Sequence, residues 1–177
     1  MTTFLYGANV HANGIRQHYL RYGGTDGARA QRDAVIIVPG ITSPAITWGF
    51  VGERFGRHFD TYVLDGRGRG LSEASDSLDY SLDAQAADVL AFAQALGLKR
   101  YSIVGHSMGG RIAWTFAATQ PARVDKLVLL SPDGFASPGF EYDKAPEVPA
   151  LMSLMRHCLP RFMLKMSLEP AYADASV

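Results

Sequence analysis

Tyr101-Ser102-Ile103-Val104-Gly105-His106-Ser107-Met108-Gly109-Gly110 decides how this chain folds. Tyr101–Val104 is a short β-rich run, and Met108 to Gln120 is a small-residue-rich stretch closed by Pro121, which suits a helix. Between them, Gly105 to Gly109 fits G-x-S-x-G. That pattern describes a sharp strand-to-helix turn in which the serine backbone is strained. Glycines two residues before and after the serine remove side chains that would collide there. In such a turn the Ser107 hydroxyl projects outward. The backbone N–H of Met108 can then face an oxyanion forming on a carbonyl under attack. Gly105 and Gly109 are the structural residues of the elbow, and Ser107 is the candidate nucleophile.

Working outward, the same rhythm repeats on both sides. Ala34-Val35-Ile36-Ile37-Val38 is a continuous β-branched run, as expected of a strand buried on both faces of a parallel sheet. Apolar positions at Trp48, Val51 and Phe55 predict a helix over residues 48–59. Thr61–Leu64 is a second buried strand, ended by Asp65-Gly66. Ser81 reads as an N-cap for a helix carrying Ala84, Ala87, Leu90, Ala91 and Ala95, which stops at Gly97. Lys126–Leu130 is a fourth strand. In front lies a hairpin, Phe4–Val10 and Ile15–Tyr22, joined through the Asn13-Gly14 turn signal. Alternating strands and helices imply right-handed crossovers and a mostly parallel sheet, here with an antiparallel N-terminal hairpin. The class is α/β. After Pro132 the rhythm ends. Residues 1–132 therefore read as the core, and 133–177 as the start of an incomplete helical cap or lid.

Composition sets limits on function. The chain has 177 residues, 47% of them hydrophobic, enough for a packed core. Lys and Arg number 17 against 17 Asp and Glu, and this balance argues against a nucleic-acid or acidic-membrane partner. The single cysteine, Cys158, excludes an internal disulfide framework and a cysteine-rich metal site; it reads as a small buried hydrophobe. No apolar run approaches the length of a membrane span, and the N-terminus lacks a signal-peptide pattern, so a cytoplasmic location is expected.

Two further turns carry chemistry. Val38-Pro39-Gly40-Ile41-Thr42 directly follows the first buried parallel strand, and Ile41 is the expected second oxyanion donor through its backbone N–H. Asp65-Gly66-Arg67-Gly68-Arg69-Gly70-Leu71-Ser72 alternates glycines like a phosphate loop. No helix opens directly after it, so the expected role is shaping, with Asp65 and Arg67 bracing the loop.

These pieces resemble the α/β-hydrolase superfamily: Pro39-Gly40-Ile41, the Asp65-x-Arg67-Gly68-x-Gly70-x-Ser72 loop and Gly105-His106-Ser107-Met108-Gly109-Gly110. Coverage runs from residue 4 to about residue 170. Residues 1–110, through Asn13 to Gly24 and Val38 to Phe50, carry a narrower similarity to the N-formylmaleamate deamidases of bacterial nicotinate breakdown. The resemblance implies a serine-nucleophile hydrolase of a small ester or amide, with Ser107 as nucleophile, Met108 and Ile41 as oxyanion donors, and no metal or cofactor. It also implies an acid and then a histidine after the serine. At the deamidase-like acid position stands Ser131. Asp133, two residues on, is either the acid or a turn-former before Gly134. His11, His18 and His58 precede the serine in the hairpin or a surface helix, His106 is expected to pack under the turn, and His157 alone lies downstream. Arg111 and Arg156 are possible pocket cations, and Trp48, Phe135 and Phe140 possible pocket walls, although residues of these types more often serve surface or core. The later strands and late histidine of the family do not follow, so the fold is expected to be C-terminally truncated. The strand at 126–130 would then be an open edge, with poor autonomous stability or homodimerisation through it. The rival reading is a catalytically incomplete fragment or pseudo-enzyme that lacks the general base.

Overall fold

The computed structural model describes residues 7–23 and 31–134. Six strands and three α-helices follow in the order β1 (Gly7–Ala12), β2 (Ile15–Tyr22), β3 (Ala34–Val38), α1 (Gly49–Gly56), β4 (Asp60–Leu64), α2 (Leu82–Ala95), β5 (Tyr101–His106), α3 (Met108–Thr119) and β6 (Val124–Leu130). They form one sheet of order β1-β2-β4-β3-β5-β6. β1 and β2 are an antiparallel hairpin, and β2 runs antiparallel to β4. The pairs β3–β4, β3–β5 and β5–β6 are parallel. The chain leaves β3 toward β4 on one side and returns to β5 on the other. The crevice beyond the carboxyl ends of β3 and β5 is therefore the topological switch point, where open α/β sheets bind ligands.

Local sequence explains these elements. Asn13 and Gly14 both take positive φ, 51° and 76°, as the two-residue turn of a right-twisted hairpin requires. Ser81 accepts a hydrogen bond from Ala84 N (3.2 Å) and caps α2. At the other end Gly97 has φ 70°, Leu98 N donates to Ala93 O (2.8 Å), and Gly97 N donates to Gln94 O (3.0 Å). This pair of bonds closes the helix in a Schellman motif.

The β3 run is buried on both faces, as its composition predicts. Ile36 and Val38 join Tyr62, Leu64, Val89, Phe92, Ile112 and Phe116 under α2 and α3. Val35 and Ile37 join Leu20, Val63 and Val104 on the opposite face, with Trp48 and Phe55 packed against them. The period of two along the strand assigns these faces.

Two elements differ from the sequence reading. The helix predicted over 48–59 is only Gly49–Gly56, preceded by a 3-10 turn at Ala45–Trp48. Gly52 and Gly56, one turn apart, let α1 lie directly on Tyr22: a Cβ at Gly52 would meet the Tyr22 ring, and one at Gly56 would come within 2.9 Å of Tyr22 Cβ. Phe59 then leads into β4. The last strand begins at Val124 rather than Lys126, because Val124 already pairs with Tyr101 of β5 and the strand continues through Asp125 and Lys126, which apolarity does not reveal. Among the described residues β6 ends the sheet, and Leu127, Val128 and Leu130 on it are exposed. Nothing from Phe135 onward, where most of the expected cap lies, is among the described residues.

Candidate active site

Ser107 sits between β5 and α3 with φ 51° and ψ −125°, a backbone conformation that L-residues rarely adopt. Its surroundings force that geometry. Ser107 N donates to Leu130 O (3.0 Å), while Ser107 O accepts from Gly110 N (2.8 Å), Arg111 N (3.3 Å) and Asp133 N (3.2 Å). The neighbouring strand and the following helix thus hold the residue from both sides.

The motif glycines are required by close approach. A Cβ at Gly105 would lie 2.5 Å from Gly109 O and 2.6 Å from Gly110 Cα. A Cβ at Gly109 would collide with the carbonyl oxygens of Val38 and Pro39. The α3 N-terminus is therefore pressed onto the turn after β3. A Cβ at Gly40 would lie 3.2 Å from both Ser107 Cβ and His106 Nδ1, so this turn passes directly over the elbow. Ile41 is the next residue, with its side chain exposed. Met108 opens α3, so its N–H has no intrahelical acceptor.

The Asp65–Ser72 loop is a brace, as expected. The Asp65 carboxylate accepts from Ala45 N (2.7 Å), Leu71 N (3.0 Å) and His18 Nδ1 (2.7 Å). This ties the loop after β4 to the turn after β3 and to the hairpin. A carboxylate can only accept, so Nδ1 carries a proton. Ser72 Oγ closes the knot by donating to Asp65 O (2.7 Å) and accepting from His18 N (2.8 Å). Arg67, only 4% exposed, forms a two-pronged pair with Asp88 at 2.6 Å on each prong and donates to Asp79 O (2.6 Å). It anchors the loop to α2. Arg69 lies half-buried next to Met108, and burial lowers its pKa from the usual guanidinium value.

The remaining candidates separate clearly. His106 packs edge-on against Trp48 (5.6 Å between ring centres), and its Nδ1 is buried without a hydrogen-bond partner among the described residues. This agrees with a packing role for both residues. His11 and His58 are not engaged at the elbow: His58 is exposed and His11 stands on the outer strand β1, while His18 is buried and committed to Asp65. Asp133 is tied to the elbow through its backbone. Its Oδ1 is buried and has no hydrogen-bond partner among the described residues. Gly134 follows at φ 96°, so a turn is also present there. Arg111 sits in the first turn of α3 with interactions of its own. Phe135, Phe140, Arg156, His157 and Cys158 lie outside the described residues. The described part shows no group of three or more His, Cys, Asp or Glu side chains that could hold a metal ion, and no helix there is long and apolar enough to cross a membrane.

A parallel sheet with an antiparallel front, a strained serine between strand and helix, and a second turn folded over that serine define the α/β-hydrolase architecture. Residues 33–165 match the family described as the alpha/beta hydrolase fold, and the chain belongs to it. The chain is 61% identical over 132 residues to the N-formylmaleamate deformylase of Pseudomonas putida, covering 75% of this chain and 47% of that protein. A crystal structure of an N-formylmaleamic acid deformylase from Pseudomonas putida superposes with a TM-score of 0.66 at 42% identity, covering 86% of this chain and 57% of that one. A bacterial membrane phospholipase A superposes with a TM-score of 0.69 at 26% identity, over 78% of this chain and 43% of that one. The chain spans about half the length of the curated relatives it matches. The resemblance read from the sequence is borne out, both for the superfamily and for its narrower N-formylmaleamate branch.

Proposed function

We propose that this chain carries the nucleophile and oxyanion hole of a serine hydrolase acting on a small amide or ester, of the N-formylmaleamate deformylase kind. The observation that carries the reading is the strained backbone of Ser107, held where β5 turns into α3. Holding a non-glycine residue there costs on the order of 1–3 kcal/mol, which a purely structural turn avoids by using glycine.

In this reading Ser107 Oγ attacks the acyl carbon and passes its proton to a base. The N–H groups of Met108 and Ile41 receive the oxyanion. The C–N or C–O bond then breaks, and the proton goes to the leaving group. Water attacks the acyl-serine, loses a proton to the same base and restores the Ser107 hydroxyl. Asp133 is the acid that orients the base, and its buried Oδ1, which has no hydrogen-bond partner among the described residues, can accept from an imidazole N–H. The base in this reading is a histidine. The reading requires no metal or cofactor, and its partner is the small-molecule substrate.

The test is labelling by a fluorophosphonate probe. The parent chain is expected to react and the Ser107→Ala variant not to; equal labelling of the two sinks the nucleophile assignment. A second reading, a catalytically incomplete chain, is favoured by one observation: among the described histidines, His11 and His58 stand away from the elbow, His106 packs on Trp48 and His18 is bound to Asp65. Turnover of an activated ester by the parent, abolished by Ser107→Ala, would exclude it.

A further inference from the structure

The His18 side chain is only 9% exposed, yet just one of its ring nitrogens is engaged. Nδ1 donates to Asp65 Oδ2 (2.7 Å). In the neutral ring of that tautomer Nε2 carries a lone pair and can only accept. Among the described residues nothing hydrogen-bonds Nε2. The ring cannot turn away to find a partner, because Asp65 is itself held by Ala45 N and Leu71 N. Gly7 lies against the free nitrogen: a Cβ there would be 2.6 Å from Nε2. A side chain at residue 7 would cover the acceptor, and glycine leaves it open.

His18 and Gly7 both line an open cleft of about 660 Å³. Small-molecule sites occupy about 300–1,000 Å³. Leu20, Pro44, Ile46 and Leu71 supply apolar walls, with Ile46 49% and Leu71 65% exposed. Asn9 stands opposite His18 in the hairpin register and also lines the cleft. Its Oδ1 accepts from Arg16 Nη1 (3.0 Å), which leaves its amide N–H groups as donors. Among the described residues no Lys or Arg lines the cleft, and Asp65, which does, would repel an anion. The cleft is separate from the elbow. None of residues 105–109 lines it, and β4 and β3 stand between β2 and β5, a separation of roughly 14 Å at about 4.8 Å per strand.

We propose that this cleft binds a small, neutral, largely apolar molecule through a hydroxyl group, which donates to His18 Nε2 and accepts from the Asn9 amide. Contact with the apolar walls supplies most of the affinity, and the hydroxyl fixes the orientation. Other head groups fit less well. A carboxylate would face Asp65, and an ammonium would give up its hydration for mostly apolar walls. An ether brings no proton, so it would cover Nε2 and leave it unpaired. No covalent bond forms or breaks here, and the site stands independently of the hydrolase reading, in which His18 has no part.

The test is an NMR titration of the nitrogen-15-labelled full chain with 2-naphthol, and with its methyl ether, 2-methoxynaphthalene, as control. In the free chain His18 is expected to show a protonated Nδ1 and an unprotonated Nε2. 2-Naphthol is expected to shift the Nε2 resonance and the backbone amides of Gly7, Leu20 and Leu71. The ether is expected to bind about 5- to 100-fold more weakly, the effect of covering an acceptor without giving it a partner. Gly7→Ala, whose methyl covers Nε2, is expected to weaken 2-naphthol binding by a similar factor while fluorophosphonate labelling of Ser107 stays unchanged. His18→Asn, which can still donate to Asp65 but presents no acceptor at the Nε2 position, is expected to do the same. Circular-dichroism melts separate lost binding from lost fold, and the ether comparison, made on the parent chain, depends on neither variant. Equal binding of 2-naphthol and its ether, a protonated Nε2 in the free chain, or shifts confined to other residues overturns the proposal. So does binding that appears only after residues 1–6 are removed, which would make the chain's own N-terminal segment the occupant.

Discussion

Replacing Ser107 by glycine should make the protein more stable than replacing it by alanine, although both changes remove the nucleophile. The Ser107 side chain makes no capping hydrogen bond to α3, so neither substitution deletes one. The difference lies in the backbone. At φ 51° and ψ −125° a residue with a Cβ is strained by about 1–3 kcal/mol, and glycine is not. Glycine also loses more freedom on folding, which offsets about 0.4–1 kcal/mol of that gain. The net advantage of Ser107→Gly over Ser107→Ala is therefore about 0.5–2 kcal/mol. For a chain of this size, that corresponds to roughly 2–6 °C in melting temperature. Urea denaturation of both variants, followed by circular dichroism, measures it. A Ser107→Gly variant no more stable than the Ser107→Ala variant would refute the claim that the elbow stores strain.

Three further outcomes follow from the packing. Asp88→Ala leaves the buried Arg67 guanidinium without its counter-charge and should cost about 3–5 kcal/mol in a urea titration, with the double variant Arg67→Met/Asp88→Leu recovering most of the loss. Burial raises the Tyr101 hydroxyl from 10.0 to about 12, so the native state keeps this proton over a range in which the unfolded chain gives it up. Stability should then fall as pH rises from about 10 to 12, by up to about 1.4 kcal/mol per pH unit, and Tyr101→Phe should show a shallower fall in parallel melts. The apolar edge of β6, with Leu127, Val128 and Leu130 at 38%, 44% and 41% exposure, should drive concentration-dependent self-association that Val128→Lys abolishes in sedimentation velocity. A parent chain that stays monomeric at every concentration would count against that expectation.

The parts of this fold that were legible in the sequence are those set by local rules. The β-branched run at Ala34–Val38 could bury both faces only within a covered parallel sheet. Asn13-Gly14 could make only a tight hairpin turn, and Ser81 and Gly97 marked the ends of α2 through their capping chemistry. The elbow was legible because its glycines answer to steric contacts within a few residues, such as Gly105 against Gly109. Helix α1 was overextended because the chain beyond it is drawn into β4, whose first residue Asp60 pairs with Ala34 of β3, a partner distant in sequence. The start of β6 was missed because pairing of Val124 with Tyr101 of β5, not apolarity, recruits Asp125 and Lys126 into the strand.

The site divides along the same line. Sequence by itself determined that a strained serine follows a buried strand, because that constraint is written into consecutive residues. Only tertiary structure decided the work of the ionisable groups, because it depends on which distant partner each one meets. His18 was legible only as a hairpin residue ahead of the serine and is a buried donor to Asp65. Arg67 and Arg69 are two residues apart in one glycine-rich loop and identical in type. One makes a two-pronged pair with the Asp88 carboxylate; the other donates to Met108 and Gln85. Charge compensation acts between groups a few ångströms apart in space, and spacing along a chain does not fix those neighbours.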